Sequence, residues 1–308
     1  MTLETPTRET EPVTGFWRLV PEPSLDVVRR WGWASVVANI GIVVTGGLVR
    51  LTGSGLGCPT WPQCTDSSYV PHSALGIHGA IEFGNRLLGF VVAVIAIITW
   101  LVVMRYRPKR TDLRRLATAA ALGIPLQAVI GGISVLTGLN PWIVSAHFLV
   151  SPIIITLNVS MMRRSRTSPY THTPPVVRAL ATAAVVAVWL TVALGTLVTG
   201  SGPHSGDPKT GRNGLNETLI SQLHADIVFG LLGITIALVI ATRVTATSRT
   251  LRKLAAWLLA MELLQGVVGF TQYFTGLPWG LVLIHMFFAA VLIALVTAVY
   301  GERGTPAT

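Results

Sequence analysis

The sequence predicts an all-α membrane protein in which eight transmembrane helices form two parallel-repeat four-helix bundles. The first observation is composition, because 51% of the 308 residues are hydrophobic and only 12% are charged, against about 25% charged residues in an average soluble domain. The second is a series of eight apolar stretches of roughly 20 residues, the length that spans a bilayer. The third is an internal repeat that divides these stretches into two groups of four.

The eight predicted helices follow one another along most of the chain. Their expected ranges are 31–51, 77–104, 113–136, 141–162, 176–199, 219–243, 251–274 and 279–300. We therefore expect four regions, which are a cytosolic tail over 1–30, an N-terminal four-helix half over 31–165, a C-terminal four-helix half over 176–300 and a cytosolic tail over 301–308. The first tail is too acidic for a mitochondrial presequence, so we expect the first helix to insert as its own signal.

The distribution of positive charge predicts how the helices cross the membrane. The formal net charge is +10, and most of the 23 Lys and Arg lie in the first tail and in the connections after the second, fourth and sixth helices. By the positive-inside rule these connections and both termini are cytoplasmic, and we expect a multi-pass protein of the plasma (cell) membrane. Because topology accounts for the basic residues, no nucleic-acid partner is needed.

An internal repeat relates the two halves. The segments 126–147 and 264–285 are identical at nine of 22 aligned positions, and the first helix of each half ends in the sequence TGSG. A unit of four helices contains an even number of crossings, so both copies would point the same way across the membrane. Two similar bundles, each with an interior, predict two similar sites.

Three histidines lie inside predicted helices at one depth. His147, His224 and His285 are each six or seven residues into helices that run inward, which places them about 10 Å below the outer surface. A lone membrane histidine often serves only as an interhelical hydrogen-bonding group. Three at one depth in four-helix bundles instead favour haem ligation. The histidines expected to be surface loop residues are His72, His172 and His204.

The spacing of these histidines distinguishes the two halves. His224 precedes His285 by 61 residues, whereas the position 62 residues before His147 is Asn85. Asparagine is a poor ligand for haem iron, and His78 lies about two turns from Asn85 on the same helix face. We expect a closed bis-histidine site in the C-terminal half. In the N-terminal half we expect a site with His147 as its firm ligand and a less certain opposite side.

The stretch IHGAIEFGNR at 77–86 places two charged side chains in the second helix. Glu82 is about one turn from Asn85, and Arg86 is its i+4 neighbour. One interpretation is a structural ion pair. The other is functional, with Glu82 acting on a bound ligand and Arg86 neutralising a carboxylate such as a haem propionate. For Asp226 and Glu262, two further carboxylates in predicted helices, the sequence identifies no partner.

Two cysteines occur, Cys58 and Cys64, in the sequence GLGCPTWPQC of the first outer loop. A disulfide is the favoured interpretation, because the loop is short and lies on the oxidising side of the membrane. A pair of free thiols and a transient redox pair are the alternatives. Two thiolates alone are too few for a structural metal site.

Taken together, these features resemble the heme A synthase family. The resemblance rests on eight helices in two halves, on the outer loop TGSGLGCPTWPQC, on EFGNR as a near match to the family's Glu-x-x-His-Arg element, and on the three helix histidines. It covers nearly the whole chain after about residue 30. The sequence departs from the family at Asn85, where the element has histidine, and in the second outer loop, which lacks the cysteine pair of some members.

The resemblance implies an activity and a set of roles. Members of the family oxidise the C8 methyl group of heme o to a formyl group by two hydroxylations and loss of water, using a resident heme b. By resemblance His224 and His285 would ligate the heme b iron, and Glu82 would be the catalytic glutamate. Cys58 and Cys64 would form the first-loop disulfide. The substrate heme o would lie near His147, Asn85, Arg86 and, more weakly, His78.

The expected partners are heme o, the heme o synthase that supplies it, a membrane electron donor and the lipid bilayer, with homo-oligomer formation left open. Two other functions stay open at this point. A di-haem b-type cytochrome that only transfers electrons would share the histidines but would have two closed sites. A transporter built from two repeats would instead have broken helices near the midplane of the membrane.

Overall fold

The computed structural model describes residues 21–166, 173–204, 206–207 and 210–302. Within these ranges the chain forms eight helices that are long and apolar enough to cross a membrane. The predicted all-α membrane fold class is therefore confirmed. The tail segments 1–20 and 303–308 and the loop residue His172 lie outside the described residues.

Every helix but the first matches its predicted apolar run to within a few residues. The helices are α1 (Leu25–Leu51), α2 (Gly76–Arg105), α3 (Thr111–Leu136), α4 (Pro141–Arg164), α5 (Pro175–Ser201), α6 (Glu217–Val244), α7 (Arg249–Phe274) and α8 (Trp279–Glu302). Side-chain caps fix several starts, because Asn140, Asn216 and Ser248 accept backbone N–H groups in the first turns of α4, α6 and α7.

The first helix begins earlier than predicted. α1 starts at Leu25 rather than at 31, so residues 25–30 are helical and do not belong to the tail. Ser24 caps this start by accepting a backbone N–H of the first turn. Arg29 then donates to the carbonyl of Ser165 at 3.1 Å. Polar contacts therefore extend α1 beyond its apolar segment, which is why hydropathy placed the start too late.

The helices pack in two rings. α1, α2, α3 and α4 contact one another in chain order and α4 closes onto α1, while α5 to α8 do the same with α8 against α5. The rings meet where α8 packs against α1 and α4, and where α4 packs against α5. We call the end of the rings that carries Cys58 and Cys64 the disulfide end, and the opposite end the basic end. At the basic end an ion pair between Arg163 and Glu302 joins α4 to α8, which continues past its predicted end at 300.

In three of the four helices of the C-terminal ring, the buried side chains are confined to one half of the helix. In α6, α7 and α8, which are described over their full length, the buried residues lie within 231–242, 251–262 and 290–299. These stretches are the basic-end halves of the three helices. The side chains of the same helices at the disulfide end, around His224 and His285, remain at least partly accessible.

Two equivalent positions of the repeat share an unusual backbone conformation. Leu139 and Leu277 are 138 residues apart and have φ angles of 59° and 57°. Their N–H groups close the preceding helices by donating at 2.7 Å to the carbonyls of Ser134 and Gln272. This match supports two copies of one four-helix unit, although the two-repeat arrangement itself stays a prediction.

The loop between α1 and α2 lies tightly against the N-terminal ring. Cys58 and Cys64 form a disulfide, as expected, and neither residue is exposed. The indole of Trp61 rests on α3 at Gly132, where a Cβ would overlap the ring. The sequence analysis did not identify Trp61, whose contact requires both the loop and α3 to be in place.

Replacing Gly57 with alanine should destabilise the protein. A Cβ at this position would overlap the backbone of His78, so the loop could not pass the start of α2 without shifting. Overpacking of this kind costs about 1–3 kcal/mol, which thermal unfolding of the purified protein in detergent would detect. Gly89→Ala is the control, because a Cβ there meets nothing within 4 Å. Equal unfolding temperatures for the two variants would contradict the close approach.

Alkylation under denaturing, non-reducing conditions should label neither Cys58 nor Cys64. Both thiols are in the disulfide, and the chain has no other cysteine. Mass spectrometry should then count two labels after reduction and none before it. Two labels without reductant would mean that the bond does not form in the membrane-inserted protein.

Candidate functional site

An ion pair on α2 holds the loop between α1 and α2. Arg86 donates from Nη2 to Oε1 of Glu82 at 2.6 Å, and Oε2 of Glu82 accepts the backbone N–H of Cys58 at 2.6 Å. Arg86 also donates to the loop carbonyls of Thr60 and Gln63 at 3.0 and 3.1 Å. Glu82 is only 6% exposed. The structural ion pair, one of the two interpretations of this stretch, is therefore present and attaches the loop to the helix.

These contacts use most of the hydrogen-bonding capacity of Arg86. A guanidinium carries five N–H donors, and those on Nε and Nη2 face Glu82 and the loop carbonyls. Nη1 donates to Gln63, which leaves its second hydrogen for a carboxylate of a bound molecule. Neutralisation of a haem propionate by Arg86 stays a prediction.

His78 lies at the start of α2, beside the loop. Its Nδ1 is 2.9 Å from Oγ of Ser54, and the residue is exposed. It is about two helical turns nearer the disulfide end than Asn85. The hydrogen bond to the loop accounts for this histidine without a bound ligand, so the contacts give no support to His78 as the missing iron ligand.

Asn85 is held by a threonine of α1. Oγ1 of Thr45 donates to Oδ1 of Asn85 at 2.7 Å. Asn85 also lies on the helical stripe that continues through the buried residues of α2 at positions 92, 96, 99 and 103. The side chain therefore belongs to the face that α2 turns toward the N-terminal ring. Thr45 is a site residue that the sequence analysis did not identify.

Each of the three helix histidines packs against a glycine of the preceding helix. The pairs are His147 with Gly131 of α3, His224 with Gly195 of α5, and His285 with Gly269 of α7. A Cβ on these glycines would lie 3.0, 3.3 and 3.3 Å from Cε1 of the respective imidazole. A larger residue would crowd the ring, so the glycines set how close each histidine lies to its neighbouring helix.

The histidine rings keep one nitrogen accessible. Nδ1 of His147, His224 and His285 is buried without a hydrogen bond of standard geometry, although the carbonyl of Thr191 approaches the ring of His224. Nε2 is not among the buried unpartnered atoms of the described residues, and no hydrogen bond to it is formed there. An imidazole that presents a free Nε2 has the chemistry of an iron ligand.

His224 and His285 lie on opposite helices of the C-terminal ring. Their helices, α6 and α8, are both neighbours of α5 and α7 and do not adjoin each other in the ring. The buried residues of α6 and α8 lie nearer the basic end than the two histidines, and histidines on facing helices of a four-helix ring are a common pair of iron ligands. In the N-terminal ring the helix opposite His147 is α2, which carries Asn85.

The two carboxylates for which the sequence identified no partner, Glu262 and Asp226, both accept a hydrogen bond. Glu262 lies in the middle of α7 and accepts the hydroxyl of Thr235 on α6 at 2.8 Å. Asp226 is exposed and accepts an N–H of Gln222, one turn away on α6, at 2.9 Å. The sequence could not identify these partners, because one of them depends on helix packing and the other on side-chain rotamers.

The chain has relatives among known proteins. A heme A synthase of Bacillus licheniformis is 31% identical over 125 residues, which cover 39% of this chain and 39% of that protein. A heme A synthase of Listeria welshimeri is 29% identical over 125 residues, 40% of this chain and 41% of that protein. One of Bacillus mycoides is 31% identical over 127 residues, 39% of each chain. The chain thus spans about two fifths of the length of these relatives.

A family model extends this similarity over a longer part of the chain. The model, described as cytochrome oxidase assembly protein, matches residues 29–80 and 77–205. These ranges include nearly all of α1, the disulfide loop, the Glu82–Arg86 pair and His147. Because the match covers more than half of the 308 residues, the resemblance drawn from the sequence is confirmed, and the chain belongs to the cytochrome oxidase assembly protein family.

Proposed function

We propose that this protein is a heme A synthase, which converts the C8 methyl group of heme o into a formyl group by two hydroxylations followed by loss of water. The observation that carries the proposal is the difference between the rings. His224 and His285 lie on opposite helices of the C-terminal ring, whereas the helix opposite that of His147 carries Asn85. Membership of the cytochrome oxidase assembly family supports this function, as does the name borne by the Bacillus and Listeria relatives.

The C-terminal ring would hold a resident heme b. His224 and His285 would hold its iron through Nε2, and the close approach of Gly195 and Gly269 would restrict the rotation of the two imidazoles. When bound, heme b supplies one-electron transfer. Protein ligands on both faces favour that role over binding of a further ligand.

The N-terminal ring would bind the substrate. His147 would hold heme o from one side, and the loop with Trp61 would cover the disulfide end and exclude water. Glu82, the proposed catalytic glutamate, is fixed beneath the loop by Arg86 and by the N–H of Cys58. From there Oε1 or Oε2 would accept a proton released as the methyl group is oxidised.

We further propose a location in the plasma membrane with both termini in the cytoplasm. The basic-end connections carry arginines and a lysine, including Arg107, Lys109 and Arg166, whereas Cys58 and Cys64 lie at the other end. This asymmetry supports a cytoplasmic basic end and an oxidising environment at the disulfide end. The proposed partners are heme o, the synthase that supplies it and a membrane electron donor.

Haem identification tests the proposed function directly. Haems extracted from membranes that contain heme o should include heme A only when this protein is present. Two tightly held low-spin b haems without heme A would favour a di-haem cytochrome. Absence of haem from the purified protein would contradict the proposal and favour a transporter.

Replacing His224 or His285 with alanine should remove or perturb a low-spin haem, because one remaining imidazole cannot hold a six-coordinate iron. Absorption and electron paramagnetic resonance spectra of the purified variants measure this loss. Gln222→Ala on α6 is the control, since Gln222 is exposed and, among the described residues, its side chain bonds to Asp226 alone. An unchanged spectrum in both histidine variants would refute the bis-histidine assignment.

Replacing Glu82 with glutamine should stop heme A formation while heme b stays bound. The amide keeps an oxygen for the N–H of Cys58 but removes the carboxylate that accepts protons. Heme o or a hydroxylated intermediate should accumulate, as measured by chromatography of extracted haems. Arg86→Gln, which breaks the same ion pair from the other side, is the comparison. If both variants only lower protein abundance, or if Glu82→Gln makes normal heme A, Glu82 is not catalytic.

A further inference from the structure

The contact between Thr45 and Asn85 determines which end of the amide is free. An asparagine side chain has one acceptor oxygen and one NH₂ donor group. Oδ1 of Asn85 accepts the hydroxyl of Thr45 at 2.7 Å. Asn85 is half-buried, and Nδ2 has no hydrogen-bond partner among the described residues. The amide therefore presents N–H groups, rather than its oxygen, beyond the contact with α1.

The orientation of this amide determines which group α2 can offer to an iron held by His147. The lone pair of the amide nitrogen is delocalised and is not given to a metal, and one lone pair of the oxygen accepts the hydroxyl of Thr45. His78 is about two turns away and is bonded to Ser54. Asn85 lies on α2, the helix across the N-terminal ring from α4 and His147, and its amide offers a hydrogen-bond donor on that helix.

We propose that the coordination position opposite His147 is open, and that Nδ2 of Asn85 donates a hydrogen bond to a small diatomic ligand of the dioxygen class bound at that position. The inference rests on the proposed function, because it requires a haem in the N-terminal ring. Hydrogen-bond donors on the side of a haem opposite its protein ligand decide whether such ligands are held. The C-terminal ring, with a histidine on each side, has no such open position.

Carbon monoxide and cyanide are the probes that test this inference. The full-length protein is purified in detergent and saturated with heme o, and haem stoichiometry, spin state and ligand binding are measured. Because the bis-histidine ring is closed, each bound carbon monoxide or cyanide reports the N-terminal ring. The wild-type protein should contain one low-spin and one high-spin haem and should bind one carbon monoxide when reduced.

Three variants separate an open position from a hydrogen-bond donor. Asn85→His should supply a second imidazole, convert the high-spin haem to low spin and weaken carbon monoxide binding at least about tenfold. Asn85→Leu should stay high-spin but bind cyanide about fivefold more weakly and shift the C–O stretching frequency, because the donor is gone. Thr45→Val should shift the same frequency by freeing the amide. Thr271→Val is the control, since the hydroxyl of Thr271 bonds only within α7.

Each result bears on the inference. A low-spin wild-type haem that binds no carbon monoxide would show that the position is closed. An Asn85→Leu protein with wild-type cyanide affinity and C–O frequency would show that Asn85 is not a donor. If heme A still forms normally when the position is closed or when Asn85 is not a donor, the inference is wrong but the proposed function stands. The expected ligand binding without heme A formation would overturn only the proposed function, and failure to load a second haem would overturn both.

Discussion

The ion pair between Glu82 and Arg86 is the interaction on which the disulfide end of the N-terminal ring depends. It places two charges on a membrane helix where isolated charges would be costly to bury. Each charge is satisfied, since the carboxylate accepts the N–H of Cys58 and the guanidinium donates to loop carbonyls. Removing one partner would leave the other charge buried and unpaired, which costs more than the pair contributes. The intact ion pair therefore holds the loop against α2.

The same end of the molecule joins the two rings. Arg50, in the last turn of α1, donates to the carbonyls of Thr199 and His204 at 2.8 and 2.6 Å. His204 in turn donates from Nε2 to the carbonyl of Leu277, in the turn between α7 and α8. Hydrogen bonds to backbone carbonyls thus connect α1 of one ring with the loops at the disulfide end of the other ring.

The sequence was sufficient for the helices and for the place of the three histidines near the starts of α4, α6 and α8, because both follow from the bounds of the apolar runs. It failed at the start of α1, where Ser24 and Arg29 extend the helix by polar contacts that hydropathy does not register. The i, i+4 spacing in the sequence was enough to pair Glu82 with Arg86. The sequence could not show that Arg86 also bonds to the loop. Thr45 was not predictable either, since its contact with Asn85 depends on how α1 packs against α2.

The difference between the rings arises from a few side chains on similar scaffolds. His147, His224 and His285 all pack against a glycine of the preceding helix and all expose Nε2. On α2, Asn85 carries an amide whose oxygen is bonded to Thr45. A ring with two opposed imidazoles can hold iron in six-coordinate form and exchange electrons with little rearrangement. A ring with one imidazole and one amide donor leaves a face of the iron available to a further molecule. Under the proposed function, electron transfer and chemistry would therefore be divided between the rings by the residue on one helix, while the packing of the eight helices stays the same.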